Sequence, residues 1–211
     1  MSAKGVFIVF EGIDGCGKKT QLDLAYGWLL RAGRPVDYGS EPNELISPLS
    51  RYIRTVLKGR ITRKPSGFDL QRMFTLDRAQ DLICFIRPVL AQGTVVLWER
   101  FFHSTLAYGM LEGNVEVYLR LQHDVLGSFM LLPDLTFIID ISGAEALRRL
   151  SVASREAEYF EKEKTLERVR QNYLALAQRD DLGEMVVVNG KRAPEEIFKE
   201  VKDIIQQRFE I

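Results

Sequence analysis

Glycines and lysines near the start of the chain have the types and the spacing of a phosphate-binding loop. The stretch Phe10–Thr20 reads FEGIDGCGKKT. Its three glycines can adopt backbone angles that turn several N–H groups towards one anion, and a following helix would add its positive end. Lys18 would reach terminal phosphates as a point charge. The sequence therefore predicts a nucleotide phosphate site formed by Gly12, Ile13, Asp14, Gly15, Cys16, Gly17, Lys18, Lys19 and Thr20.

The loop departs from the standard pattern at one place. That pattern is G-x-x-x-x-G-K-[ST], in which the last hydroxyl contacts magnesium. Lys19 stands where the hydroxyl is expected, and Thr20 brings a hydroxyl one residue late. The alternative interpretation is a glycine turn before a helix with two solvated lysines. Because the three glycines, Lys18 and a preceding apolar run agree, we favour the phosphate loop.

Short apolar runs alternate with helical patterns along the whole chain. The runs predict strands at 6–10, 35–38, 94–98, 135–141 and 185–188. This alternation predicts an α/β fold with a five-stranded parallel sheet and helices on both faces, as a single domain over residues 1–211. Between the second and third strands we expect a long helix that is capped by Asp69 and bent or broken at Pro88.

Charged residues follow the predicted strands at the edge where ligands bind in such folds. Arg100 follows the third strand and would supply a second cation beside Lys18, as phosphoryl transfer requires. Glu99 and Asp14 could hold magnesium or a sugar hydroxyl. Thr20 is the other candidate ligand for the metal.

A charged segment after the fourth strand lacks apolar periodicity. Arg148, Arg149 and Arg155 flank or occupy it. The segment, about 148–160, could close over a nucleotide as a short lid and exclude water. The alternative for each arginine is a solvated helix face.

Composition limits the class of protein. Hydrophobic residues make up 46% of the 211 residues, which is enough for a full core. The 29 basic and 29 acidic residues balance, which argues against a dedicated nucleic-acid binder. Two cysteines form no disulfide framework. No apolar run approaches the roughly 18 residues of a membrane helix, so we expect a cytoplasmic protein that binds no membrane.

Three further motifs are similar to those of thymidylate kinases, in the nucleoside-monophosphate kinase branch of the P-loop fold. They are MFTLDRAQ at 73–80, ERFFHSTLAY at 99–108, and Pro133-Asp134-Leu135. With the phosphate loop, this resemblance extends over nearly the whole chain. It implies that ATP and dTMP, with Mg²⁺, give ADP and dTDP.

The resemblance also implies roles for individual residues at matching positions. Lys18 and the loop amides would bind ATP phosphates, and Arg149 would lie near adenine. Arg155 would touch the transferring phosphates. The residues implied on the dTMP side are Asp14 at the 3′-hydroxyl, Arg100 at the phosphate, Phe74 stacked on thymine, Arg78 at its oxygen, Ser104 beside the base and Tyr108 near the sugar's 2′ position. The family is typically a homodimer, and 82–86 is a candidate face.

Departures from the family's pattern leave three hypotheses open. Glu99 replaces an aspartate, Ser40 stands where many members have arginine, and Asn43-Glu44 replace a glycine pair. The first hypothesis is an active dTMP kinase. The second is a kinase of altered specificity, for example for dUMP, because the 41–44 loop is changed. The third is a catalytically weak nucleotide-binding protein, because the Lys19 ammonium would repel magnesium.

Overall fold

The structure is a computed structural model that describes residues 5–152, 160 and 162–210. Strands and helices alternate along these residues. In chain order they are β1 (Val6–Glu11), α1 (Lys18–Arg31), β2 (Val36–Ser40), α2 (Pro48–Leu57), α3 (Gly67–Asp81), a π-helical segment (Leu82–Ile86), α4 (Arg87–Leu90), β3 (Val95–Glu99), α5 (Phe102–Gly109), α6 (Val115–Leu126), β4 (Leu135–Asp140), α7 (Gly143–Val152), α8 (Glu163–Leu176), β5 (Met185–Asn189) and α9 (Pro194–Phe209).

The five strands form one parallel sheet in the order β2-β3-β1-β4-β5. Val6 pairs with Val95 of β3, and Ile8 pairs with Leu135 of β4, so β1 occupies the centre. Its side chains from Phe7 to Phe10 are buried, which explains why the run is apolar without alternation. The prediction of a five-stranded parallel sheet in a P-loop type α/β fold is confirmed.

Helices cover both faces of this sheet. The chain passes from β1 to β2 through α1, and it then returns across β3, β4 and β5 in the opposite direction. Right-handed crossovers therefore place α1 on one face and the helices between β2 and β5 on the other. In agreement, α1 packs on α9, while α3 contacts α5 and α6, and α5 contacts α8. This arrangement brings the loops after β1, β2 and β3 together at one edge.

The long helix between β2 and β3 differs from the prediction at its start and near its end. Ser66, not Asp69, caps α3, and the Ser66 hydroxyl accepts the Asp69 N–H at 3.0 Å. The π-helical segment comes directly before the turn that contains Pro88. Because proline has no N–H to continue an α-helical ladder, the preceding turn widens instead of ending the helix.

The predicted lid lies largely outside the described residues. Its first part, 148–152, belongs to α7, and residues 153–159 are not described. Within the described part of the chain, no helix is long and apolar enough to cross a membrane.

Candidate active site

A cavity of about 500 Å³ opens at the carboxyl ends of β1, β2 and β3. It lies where parallel α/β folds bind their ligands. Among the predicted site residues, those that line it are Asp14, Gly15, Gly17, Lys18, Lys19, Phe74, Arg78, Glu99, Arg100, Ser104, Tyr108 and Arg149. Gly12, Ile13, Cys16 and Thr20 are not part of the lining, and Arg155 lies outside the described residues. The structure thus brings together most of the predicted site.

The phosphate loop has the backbone that its glycines predict. Gly12, Gly15 and Gly17 have φ angles of 134°, 79° and 100°, which side chains rarely allow. A Cβ on Gly15 would also come within 2.8 Å of a carbonyl oxygen of α7. Lys18 is buried, and its Nζ donates to the carbonyl of Ile13 at 2.9 Å. The ammonium is therefore held at the centre of the loop, where an anion would meet it.

Cys16 belongs to the wall of the loop and not to its open face. The side chain is buried, and burial raises the pKa of its thiol although the Lys18 charge opposes this. Its Sγ lies 3.8 Å from Lys18 Nζ. The thiol thus stays protonated and packs as a small residue under the lysine.

The predicted metal ligands occupy different environments. Lys19 is exposed and forms an ion pair with Asp23 one turn along α1. Thr20 is exposed and outside the cavity lining, whereas Glu99 lines it. Among the described residues, no group of three His, Cys, Asp or Glu side chains could hold a metal alone. Since Mg²⁺ is usually bound by one or two carboxylates together with phosphates and water, Glu99 fits that role.

Arg100 and Asp14 form an ion pair across the floor of the cavity. Arg100 Nη2 lies 2.5 Å from Asp14 Oδ1. The Tyr108 hydroxyl joins them, since it donates to Asp14 Oδ2 at 3.3 Å and lies 3.5 Å from Arg100 Nη2. Arg100 has a φ of 65°, an uncommon angle for a residue with a side chain. This backbone angle is part of the turn that follows β3.

A buried carboxylate that the sequence analysis missed anchors this arginine. Glu11, at the end of β1, is fully buried and accepts the N–H groups of Phe101 and Ser104 at 2.7 and 3.1 Å. The hydroxyls of Ser104 and Tyr173 lie 2.7 and 2.9 Å from its Oε2. Arg100 Nη1 in turn donates to Ser104 Oγ at 3.1 Å. Glu11 thereby fixes both the turn at Arg100 and the hydroxyl that its guanidinium contacts.

Ser104 therefore belongs to the network that holds Arg100. Tyr173 comes from α8 and is also buried. Burial and the Glu11 charge raise the pKa of Tyr173 well above its usual value, so its hydroxyl remains a neutral donor. One signal for Glu11 was available, because a glutamate that ends a buried apolar strand must find partners inside the protein.

Arg78 is buried in a second polar network. Its Nε donates to Glu41 Oε1 at 2.8 Å, and its Nη2 contacts the other oxygen of Glu41. Nη2 also lies 3.2 Å from Thr105 Oγ1, and Nη1 donates to Gln122 Oε1 at 2.7 Å. Burial raises the pKa of Glu41 to about 7 even though the Arg78 charge opposes this. The sequence analysis predicted Arg78 but missed these partners.

Phe74 and Arg54 complete the far wall of the cavity. Phe74 is half-buried and packs on an apolar cluster of α2 and α3 that includes Val56 and Leu70. Arg54, on α2, also lines the cavity, and its Nε donates to Glu44 Oε1 at 3.2 Å. Arg54 was not predicted. It brings a cation to the side of the cavity that is formed by the unusual 41–44 loop.

Arg149 connects the phosphate loop to the end of β5. Its Nη2 donates to the carbonyl of Gly190 at 2.9 Å, and its Nε donates to Glu145 at 2.7 Å. Its Nη1 lies 3.5 Å from the carbonyl of Cys16. Arg148 also pairs with Glu145 but is exposed. Of the two adjacent arginines, only Arg149 lines the cavity.

The sequence of this chain matches a known protein family. The sequence model of the family described as thymidylate kinase matches residues 10–201. A relative named thymidylate kinase in Geobacter sulfurreducens is 35% identical, over 97% of this chain and 98% of its own length. A relative named probable thymidylate kinase in Thermococcus gammatolerans is 33% identical, over 97% of this chain and 98% of its own. A third, named thymidylate kinase in Symbiobacterium thermophilum, is 32% identical, with 96% and 93% covered.

Proposed function

Because this chain belongs to the thymidylate kinase family, we propose that it transfers the terminal phosphoryl group of ATP to dTMP, giving ADP and dTDP for dTTP synthesis. The observation that carries the proposal is that one cavity is lined by residues that would hold the donor phosphates and by residues that would hold dTMP. The phosphate loop with Lys18 stands at one side, and Arg100 with Asp14 stands beside it. The enclosed Phe74 and Arg78 stand at the other side.

Transfer in this site would depend on positioned cations. Lys18 and the loop N–H groups would hold the donor phosphates, and Arg100 would hold the acceptor phosphate. A transferring phosphoryl group spreads negative charge over its oxygens, so cations on both sides stabilise the transition state. Mg²⁺, when bound, would neutralise charge on the donor phosphates, and Glu99 would help to hold it. We propose that Arg155, outside the described residues, adds a further cation.

Binding of dTMP would exchange partners within the Asp14–Arg100 pair. Asp14 would accept the sugar 3′-hydroxyl while Arg100 turns to the phosphate. Tyr108, which contacts both side chains, would lie near the 2′ position and disfavour a ribose. Arg54 gives a second cation on the acceptor side. It would take the role of the arginine that many family members have at the position of Ser40.

The base would lie between Phe74 and the Arg78 network. Phe74 would stack on the thymine ring, and Arg78 would donate to a base oxygen. Thr105 lines the same part of the cavity and already accepts from Arg78, so it joins Ser104 as a residue beside the base. Arg149 would lie near adenine, because it connects the phosphate loop to the loop after β5.

We further propose a single domain that acts as a homodimer in the cytoplasm, with residues of about 148–160 as its lid. Exposed apolar side chains of α3, the π-helical segment and α6 support a dimer. They are Leu76, Ile83 and Val117, which are 46%, 48% and 49% exposed. Since α3 packs on α6, these side chains belong to neighbouring helices. Sedimentation equilibrium of the wild type and of an Ile83→Glu variant would test this. A wild-type monomer would contradict it.

The test of function is a coupled assay of ADP release with ATP and Mg²⁺. The acceptors are dTMP, dUMP, ribothymidine monophosphate, dCMP and dGMP. We expect the highest kcat/KM with dTMP. A preference for dUMP would contradict thymidine selectivity, and binding of ATP without turnover of any acceptor would contradict the kinase assignment.

A further inference from the structure

Arg78 has nearly all of its donors committed within the protein. A guanidinium carries five N–H groups. Nε and one Nη2 hydrogen serve the two oxygens of Glu41, the other Nη2 hydrogen faces Thr105, and one Nη1 hydrogen serves Gln122. Within the described chain, the second Nη1 hydrogen has no partner. Arg78 lines the cavity although its side chain is fully buried, so this one remaining donor is the one that a ligand in contact with Arg78 would take.

The orientation of the Gln122 amide follows from its other neighbour, Thr75. The Thr75 hydroxyl donates its only hydrogen to the carbonyl of Gln71 at 2.8 Å. It can therefore only accept from Gln122, whose Nε2 lies 2.8 Å away. The amide oxygen of Gln122 must then face Arg78. A reversed amide would set two donors against each other at Arg78 and two acceptors against each other at Thr75.

The hydrogen bonds that run from Thr75 through Gln122 to Arg78 form a relay that lies behind the cavity wall. The Thr75 and Gln122 side chains are fully buried, and neither lines the cavity. A buried hydrogen bond that is lost cannot be replaced by one to solvent. The loss of one hydrogen bond in the relay should therefore strongly affect the orientation of the next side chain. Gln122 comes from α6, which contributes none of the motifs found in the sequence. Its contact with Arg78 spans 44 residues of chain.

We propose that Gln122, oriented by Thr75, is a positioning residue that presents a single Arg78 N–H to the base and thereby selects a pyrimidine with a keto oxygen over one with an amino group. The inference rests on the proposed function. A keto oxygen accepts from the fixed N–H. An amino group at the same place would set donor against donor, and the buried network leaves Arg78 no room to turn away.

The test compares Gln122→Met and Thr75→Val with wild type. Methionine keeps the length of the side chain and removes the acceptor. Valine keeps the shape of threonine and removes the hydroxyl that orients the amide. Steady-state kinetics with dTMP, dCMP and ATP should show a roughly tenfold higher KM for dTMP and a roughly tenfold lower preference for dTMP over dCMP in kcat/KM. The kcat with dTMP and the KM for ATP should change less than about twofold.

Two controls separate positioning from general damage. Thr75→Ser restores the hydroxyl and should restore the wild-type KM and preference. Thr136→Val removes a buried hydroxyl from β4 that takes no part in this relay, and it should leave both values unchanged. If Gln122→Met fails to fold, the comparison of Thr75→Val with Thr75→Ser decides alone.

The inference is overturned if folded variants retain the wild-type KM for dTMP and the wild-type preference. It is also overturned if the KM values for dTMP and ATP change together with kcat, because this indicates general damage. In either case a wild-type enzyme that is most active on dTMP would leave the proposed function standing. A wild type without dTMP turnover would overturn both.

Discussion

Arg100 Nη2 lies 2.5 Å from Asp14 Oδ1, so the two residues that the family resemblance assigns to different parts of dTMP are ion-paired with each other. Each side chain is partly exposed to the cavity, at 15% and 23%. The pair keeps both charges compensated in the structure. Under the proposed function, dTMP would offer a phosphate to Arg100 and a hydroxyl to Asp14. Glu11 holds the turn that carries the arginine, through the N–H of Phe101.

We expect Arg100→Ala to lower kcat for dTMP phosphorylation by about 10²- to 10³-fold, the usual cost of removing one group that stabilises transition-state charge. Coupled ADP release at saturating ATP and dTMP measures it. Arg208→Ala is the matched control, because Arg208, on α9, forms an exposed ion pair with Glu184, which precedes β5. A change below threefold in Arg100→Ala would remove this residue from the proposed mechanism.

Tyr173→Phe tests whether the Glu11 network positions Arg100. The phenylalanine keeps the buried ring and removes the hydroxyl that contacts Glu11, Ser104 and Arg100. Because Arg100 would grip the phosphate, we expect dTMP to bind several-fold more weakly, whereas thymidine, which lacks the phosphate, should bind as before. Isothermal titration with both ligands measures the difference. Equal weakening of both would indicate a general structural role for Tyr173.

Lys19→Ser tests whether the lysine at the expected hydroxyl position hinders the metal. The Lys19 ammonium pairs with Asp23, and its side chain is 61% exposed. Although Lys19 lines the cavity, solvent and the Asp23 carboxylate screen the charge of its ammonium. We therefore expect kcat and the Mg²⁺ concentration for half-maximal rate to change less than about threefold. A tenfold gain in rate would show that the lysine is a handicap.

The local sequence was sufficient to predict the sheet but not the hydrogen-bond partners inside the buried polar networks. The apolar runs predicted all five strands. The central strands β1, β3 and β4 are buried along nearly their whole length, whereas the edge strands β2 and β5 are partly exposed. The glycines of the phosphate loop predicted their own backbone angles. The exit of α3 was less predictable. A proline usually ends a helix, and here the chain accommodates Pro88 through the π-helical segment of Leu82–Ile86.

The partners of the predicted site residues depended on contacts that are distant in sequence. Glu11 binds Tyr173 across 162 residues, and Arg78 binds Glu41 across 37. No spacing rule joins residues so far apart, so the sequence predicted the arginine and missed what holds it. Lys19 is the opposite case. Asp23 follows it by four residues, and the i, i+4 rule could have predicted that ion pair.

Asp81 provides a prediction about stability because its carboxyl is fully buried. Burial raises the pKa of Asp81 to about 9, and the charges of Glu41 and Asp77 add to this, while the Arg78 charge and the Asn43 side chain oppose it. In the unfolded chain an aspartate ionises near pH 4. Between these two pH values the folded protein retains a proton that the unfolded chain has released.

The free energy of unfolding should therefore fall as pH rises from about 4 to about 9, by up to about 1.4 kcal/mol per pH unit from this group. Asp81→Asn cannot ionise and keeps the neutral shape. We expect wild type and variant to have similar stability near pH 4, with the variant increasingly more stable above it. Urea unfolding at pH 5 and pH 8.5 measures the divergence. Asp203→Asn, at an exposed ion pair of α9, is the control. Parallel stability curves for wild type and Asp81→Asn would show that Asp81 does not retain its proton in the folded protein.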